Sequence, residues 1–141
     1  MTFLDTIYVC DQQRCGLRAF AAEFCKRYGA ADSETRLSDN YAGGEYVKVR
    51  VLGLTIKLML TDSRNFAEFE FAITFDGPSK LQSDSQDSLA ELPDFFCRVM
   101  TLDGYEVARD PDAGRIGGRK LVYRMADGVP TCEQQARGAG S

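Results

Sequence analysis

Tyr46-Val47-Lys48-Val49-Arg50-Val51, then Leu54-Thr55-Ile56-Lys57-Leu58-Met59-Leu60, then Phe69-Glu70-Phe71-Ala72-Ile73-Thr74-Phe75: these three runs decide the fold. In each, apolar residues recur at every second position, the period that sends successive side chains to opposite faces of a strand. Val47, Val49 and Val51 alternate with Tyr46, Lys48 and Arg50. Leu54, Ile56, Leu58 and Leu60 alternate with Thr55, Lys57 and Met59. Turn-forming residues at Gly53 and at Asp62-Ser63-Arg64-Asn65 separate the runs. The spacing predicts a three-stranded antiparallel meander with one apolar face.

Working outward toward the N-terminus, the period changes from two to 3.6. Leu17, Phe20, Ala21, Phe24, Cys25 and Tyr28 recur at three- and four-residue steps, with Arg14, Arg18, Glu23, Lys26 and Arg27 on the other side. That is an amphipathic helix, and Gly29 supplies its stop. It is expected to cover the apolar face of the meander. Residues 6–10 read equally as a strand or as an earlier helical turn, with Asp11 as N-cap of the helix. Residues 30–44, polar and holding Gly43-Gly44, read as a loop.

Toward the C-terminus, Asp76-Gly77-Pro78 ends the third run, and residues 79–88 form a polar loop. A second helix carries Leu89, Leu92, Phe96, Val99 and Met100 on one side. Pro93 either kinks it or sits in its first turn, where a missing N–H is tolerated. Gly104 ends it, and residues 105–109 and 120–125 read as a two-stranded hairpin. The expected fold class is α+β: the first helix on the meander, then the second helix and the hairpin. Residues 1–125 form one domain in this reading, and residues 126–141 a flexible tail.

Composition narrows function more by exclusion than by assertion. The 141 residues are 44% hydrophobic and carry a net charge of −4, ordinary for a globular domain. Histidine is absent, which removes the commonest general base and any Ser-His or Cys-His nucleophile pair. The five cysteines, Cys10, Cys15, Cys25, Cys97 and Cys132, include no Cys-x-x-Cys pair. Reduced thiols and a cytoplasmic location are the expectation, with no metal and no cofactor. The first residues show no basic stretch followed by an apolar one, so neither a secretory signal nor a membrane partner is expected. An acidic chain repels phosphate backbones, so nucleic acid is not expected as a partner.

Other constellations fail on their chemistry. Asp110-x-Asp112-x-Gly114 resembles a calcium loop, yet its twelfth position is Leu121 and a hairpin turn explains it. Gly118 is followed by Arg119-Lys120-Leu121, so no phosphate-binding loop is present. Glu68 and Glu70 are expected on the outer face of the meander, near Lys48, Arg50 and Lys57, as a solvated charged surface. Arg109, Arg115, Arg119, Lys120 and Arg124 are nearly cancelled by Glu106, Asp110, Asp112 and Asp127. Asp76, Asp84, Asp87, Glu91 and Asp94 make an acidic stretch before and into the second helix, a solvated face or a docking patch for a basic surface. No catalytic group emerges, and a protein-binding role is the expectation.

The helix ending Phe24-Cys25-Lys26-Arg27-Tyr28-Gly29, the meander, the helix around Phe95-Phe96 and the hairpin follow one another in an order that resembles the class I type III secretion chaperones. That family holds bacterial effectors before export and works as a homodimer. The resemblance implies that the second helix and the hairpin build a dimer while the first helix and the meander carry the effector. The family's third, C-terminal helix has no counterpart here. Candidate contacts for such a partner are Phe20, Phe24, Val49, Met59 and Phe69. The alternative is an acidic immunity or inhibitor protein covering the basic active site of a toxin or nuclease, with Asp84, Asp87, Glu91 and Asp94 as the contacts.

Overall fold

The computed structural model describes residues 2–10, 16–51, 54–63, 66–77, 91–111 and 119–136. Alternation at Val47, Val49 and Val51 and at Ile56 and Leu58 builds two paired strands, β3 (Glu45–Val51) and β4 (Leu54–Leu60). The register Val47 to Leu58 and Val49 to Ile56 puts all four on one face. β5 (Phe71–Gly77) continues that face with Ile73 opposite Leu58 and Phe75 opposite Ile56. The remaining strands are β1 (Thr2–Cys10), β2 (Ala31–Leu37), β6 (Glu106–Arg109), β7 (Arg119–Ala126) and β8 (Val129–Ala136).

These strands correct the expected architecture. A separate three-stranded meander and two-stranded hairpin do not form. Instead one antiparallel, eight-stranded sheet runs in the order β2-β3-β4-β5-β1-β6-β7-β8. The joining piece is β1, which pairs with β5 on one side and β6 on the other: Tyr8 faces Ala72 across one ladder and Ala108 across the other. Ile7, Tyr8 and Val9 are all buried, so residues 6–10 are strand and not helix. A strand covered on both faces reads as a continuous apolar run without alternation. The third run begins at Phe71 and not at Phe69. The expected flexible tail is corrected as well, because residues 129–136 pair with β7 along its length.

Among the described residues, two helices cover the front of the sheet. α1 (Leu17–Tyr28) buries Leu17, Phe20, Ala21 and Phe24, and lies over β2, β3 and β4. Phe20 stacks on Phe71 at 4.2 Å between ring centroids. α2 (Leu92–Leu102) has proline in its first turn and buries Phe96, Cys97 and Met100 over β1, β6, β7 and β8. The Asp11 N-cap lies outside the described residues; the residue before α1 is Gly16.

The back of the sheet has its own cluster. Between β4 and β5 the chain crosses the back face, and Phe66 and Phe69 pack there on Tyr8, Ala72, Ala108 and Val122. Tyr8 and Phe66 stack at 4.0 Å. The Lys120 ammonium lies over both phenylalanine rings, at 5.1 Å and 5.7 Å, and bonds Glu68. Glu68 thus lies on the outer face of the sheet, and its ion pair is with Lys120 of β7. Burial is the largest single influence and works against its charge, but the hydrogen bond from Lys120, a backbone hydrogen bond and the Lys120 charge together outweigh it and hold its carboxyl below the usual range.

Candidate functional site

Six large apolar residues crowd the eleven positions of α2: Leu92, Phe95, Phe96, Val99, Met100 and Leu102. One stripe against a sheet cannot take all of them. Phe96 and Met100 turn inward, whereas Phe95 and Leu102 stay 60% and 57% exposed. Phe95, Val99 and Leu102 are spaced four and three residues apart, so they share a side of the helix.

Beside this stripe lies a cavity of about 250 Å³ lined by Tyr28, Gly29, Val51, Phe95, Phe96 and Val99. Its walls come from the end of α1, the end of β3 and one side of α2. Gly29 takes a left-handed conformation, φ 66°, as the chain leaves α1, and the Ala30 N–H bonds back to the Cys25 carbonyl at 3.1 Å. A glycine suits that conformation and leaves the rim without a side chain. Tyr28 packs its ring edge on Phe24 at 5.0 Å and donates its hydroxyl to Asp103 Oδ2 at 2.8 Å. Burial first, then the Asp103 hydrogen bond, raises the Tyr28 pKa well beyond the ordinary phenol value. It stays protonated and acts as a fixed wall. Among the described residues, no charged side chain lines the cavity. Its described walls can receive an apolar side chain.

Asp94 anchors the start of α2 to β7 and β8. Arg98 donates to Asp94 Oδ2 at 2.9 Å, and the Tyr123 hydroxyl to Oδ1 at 2.6 Å. Arg98 also donates to the Pro130 carbonyl at 3.0 Å and lies 5.7 Å from the Tyr123 ring centroid. Burial opposes the Asp94 charge, but the bonds from Arg98 and Tyr123 prevail and lower its pKa. Asp94 is committed to internal contacts.

The other expected contacts scatter. Asp84 and Asp87 lie outside the described residues. Glu91 is exposed just ahead of α2. Phe20, Phe24 and Val49 are wholly buried in the front core. Phe69 is buried in the back cluster, with Met59 half-buried against it. Met59 and Phe69 thus share one place, on the face opposite α2. Sequence reading missed Tyr28, Gly29, Val51, Phe95 and Leu102 as a group. The available signal was the excess of large apolar residues in α2.

On the back of the sheet, a second cavity of about 240 Å³ is lined in part by Glu68, Phe69, Glu106, Val122, Arg124 and Gln135. Farther along that face, Lys48 and Lys57 stand directly opposite each other on β3 and β4. Opposed side chains start about 5 Å apart at Cβ, and two positive charges about 6 Å apart repel by roughly 0.7 kcal/mol in water.

Among the described residues, no group of three or more Cys, Asp or Glu side chains could hold a metal ion. No helix there is long and apolar enough to cross a membrane. No family model, curated protein or solved structure matches the chain.

Proposed function

We propose that this protein is a non-catalytic binding domain that holds a segment of another polypeptide, as a secretion chaperone holds its effector. The observation that carries the reading is the exposed Phe95–Leu102 side of α2 beside an apolar cavity whose described lining is uncharged. Large exposed apolar side chains next to a concave apolar surface favour association over solvation. The cavity fits one large aliphatic or aromatic side chain, and the stripe beside it extends the contact along the helix. The inhibitor reading draws less support from the described residues, because Asp94 is bound internally by Arg98 and Tyr123.

Panning a random 12-residue phage-displayed library on the protein tests the proposal. Peptides with a large apolar anchor should be enriched, and their binding should be lost with Phe95→Asp while circular dichroism stays unchanged. Enrichment of peptides that bind wild type and Phe95→Asp alike would sink the proposal, as would no enrichment at all.

A further inference from the structure

We propose that Lys48 and Lys57 form a site for a compact dianion of the phosphate-monoester class, independent of the α1–α2 cavity. The front of the sheet imposes the juxtaposition. Val47 opposite Leu58 and Val49 opposite Ile56 are buried under α1, and slipping the ladder by one residue would turn them to solvent. The register is therefore locked, and it sets Lys48 against Lys57. It does not demand a lysine at both places, since an opposite charge at either would be the favourable cross-strand partner. Among the described residues, neither lysine has a carboxylate within ion-pair distance.

The surroundings orient the pair. The Lys57 ammonium lies 5.6 Å from the centroid of the Tyr46 ring, and Tyr41 stacks on Tyr46 at 4.3 Å. Thr74 stands directly opposite Lys57 on β5, which brings a hydroxyl to the same face. An anion between the two ammonium groups would turn their repulsion into two charge-assisted hydrogen bonds.

The neighbouring charges limit the size of the ligand. Glu34, opposite Lys48 on β2, bonds Arg36 at 3.1 Å. Asp32 lies 3.8 Å from Arg50, and Asp76 is two residues beyond Thr74 on β5. Two positive charges thus stand opposite each other at the lysine pair, with carboxylates around them. A long polyanion such as single-stranded nucleic acid would meet more of those carboxylates than one phosphate group would.

The test compares the full chain with a Lys48→Gln/Lys57→Gln double variant by thermal unfolding and amide NMR titration. The probes are inorganic phosphate, phenyl phosphate and a ten-residue oligothymidylate. Phosphate also stabilises proteins through general exclusion, and that effect cancels in the comparison. Phosphate should raise the wild-type midpoint more than the variant's, with shifts confined to β3, β4 and β5 and affinity weakened about tenfold or more in the variant. Tighter binding of phenyl phosphate assigns the site to an ester, and equal binding assigns it to the free ion. Equal midpoint increments in the two proteins overturn the proposal, as does binding of the oligonucleotide alone. Should the double variant not fold, Lys48→Gln carries the same comparison.

Discussion

At the residue scale, Asp94 shows how one side chain can change its meaning between sequence and structure. Read along the chain it is the last member of an acidic stretch. In the fold it receives bonds from Arg98 and Tyr123 and ties α2 to the sheet. Its pKa is lowered on folding, so its contribution is present above the unfolded carboxyl value and lost as pH falls through the folded one. Glu68, lowered beside Lys120, acts in the same direction. Stability to urea should therefore hold above about pH 5 and decline below about pH 4. In Asp94→Asn that decline should be shallower, with lower stability at neutral pH. An identical acid limb in the two proteins, measured by urea midpoints from pH 2 to 7, would show that Asp94 adds nothing to it. The neighbourhood of Asp94 was not legible in advance, because Tyr123 lies 29 residues away and meets it only through α2 packing on β7.

At the element scale, β8 carries the clearest lesson. Asp127-Gly128 separates β7 from β8, and both residues have positive φ, 52° and 77°. Ala126 faces Val129 across this two-residue turn, the geometry that matches the twist of a hairpin. An Asp-Gly pair flanked by Val122 to Met125 and Val129 was visible in the sequence, but the glycine- and alanine-rich composition beyond it drew the reading toward a tail. β2 left no such signal: all seven residues are exposed, so no apolar alternation marks it. The outer side of β8 is blunted. Pro130 is the second pair from the turn, so its nitrogen points away from β7 and offers no donor. Arg98 caps its carbonyl at 3.0 Å. Pro130→Val restores a free N–H on this edge and should promote strand-to-strand association. Light scattering should then show a mass that rises with concentration more steeply than wild type; an unchanged profile would mean that the proline is not the guard.

At the scale of the whole molecule, β1 makes one cooperative unit of what would otherwise be two sheets. Ile7 and Val9 belong to the front cluster and Tyr8 to the back cluster, so neither face can open without disturbing the same strand. Thermal unfolding should be a single transition with calorimetric and van't Hoff enthalpies in agreement. Phe66→Ala, on the back, should lower the stability of the whole transition by about 3–5 kcal/mol without splitting it. Two separable transitions in calorimetry, one sensitive to Phe66→Ala and one not, would show that the halves unfold independently.

The sequence by itself determined α1, β3 and β4 and the lower part of β5, because their apolar periods are local and strong. It also determined that no histidine-dependent chemistry is available. Tertiary structure alone decided that β1 enters the middle of the sheet, that residues 61–63 and 66–70 cross its back, and that Phe95 and Leu102 are left facing outward. The reason is physical. A period of two or 3.6 reports which face of an element is buried, whereas strand order and the choice of covering partner depend on contacts between residues far apart in the chain. A central strand buried on both faces, an edge strand exposed on both, and a helix with more apolar surface than its sheet can cover lose or blur the one-sided pattern on which a reading of the chain relies.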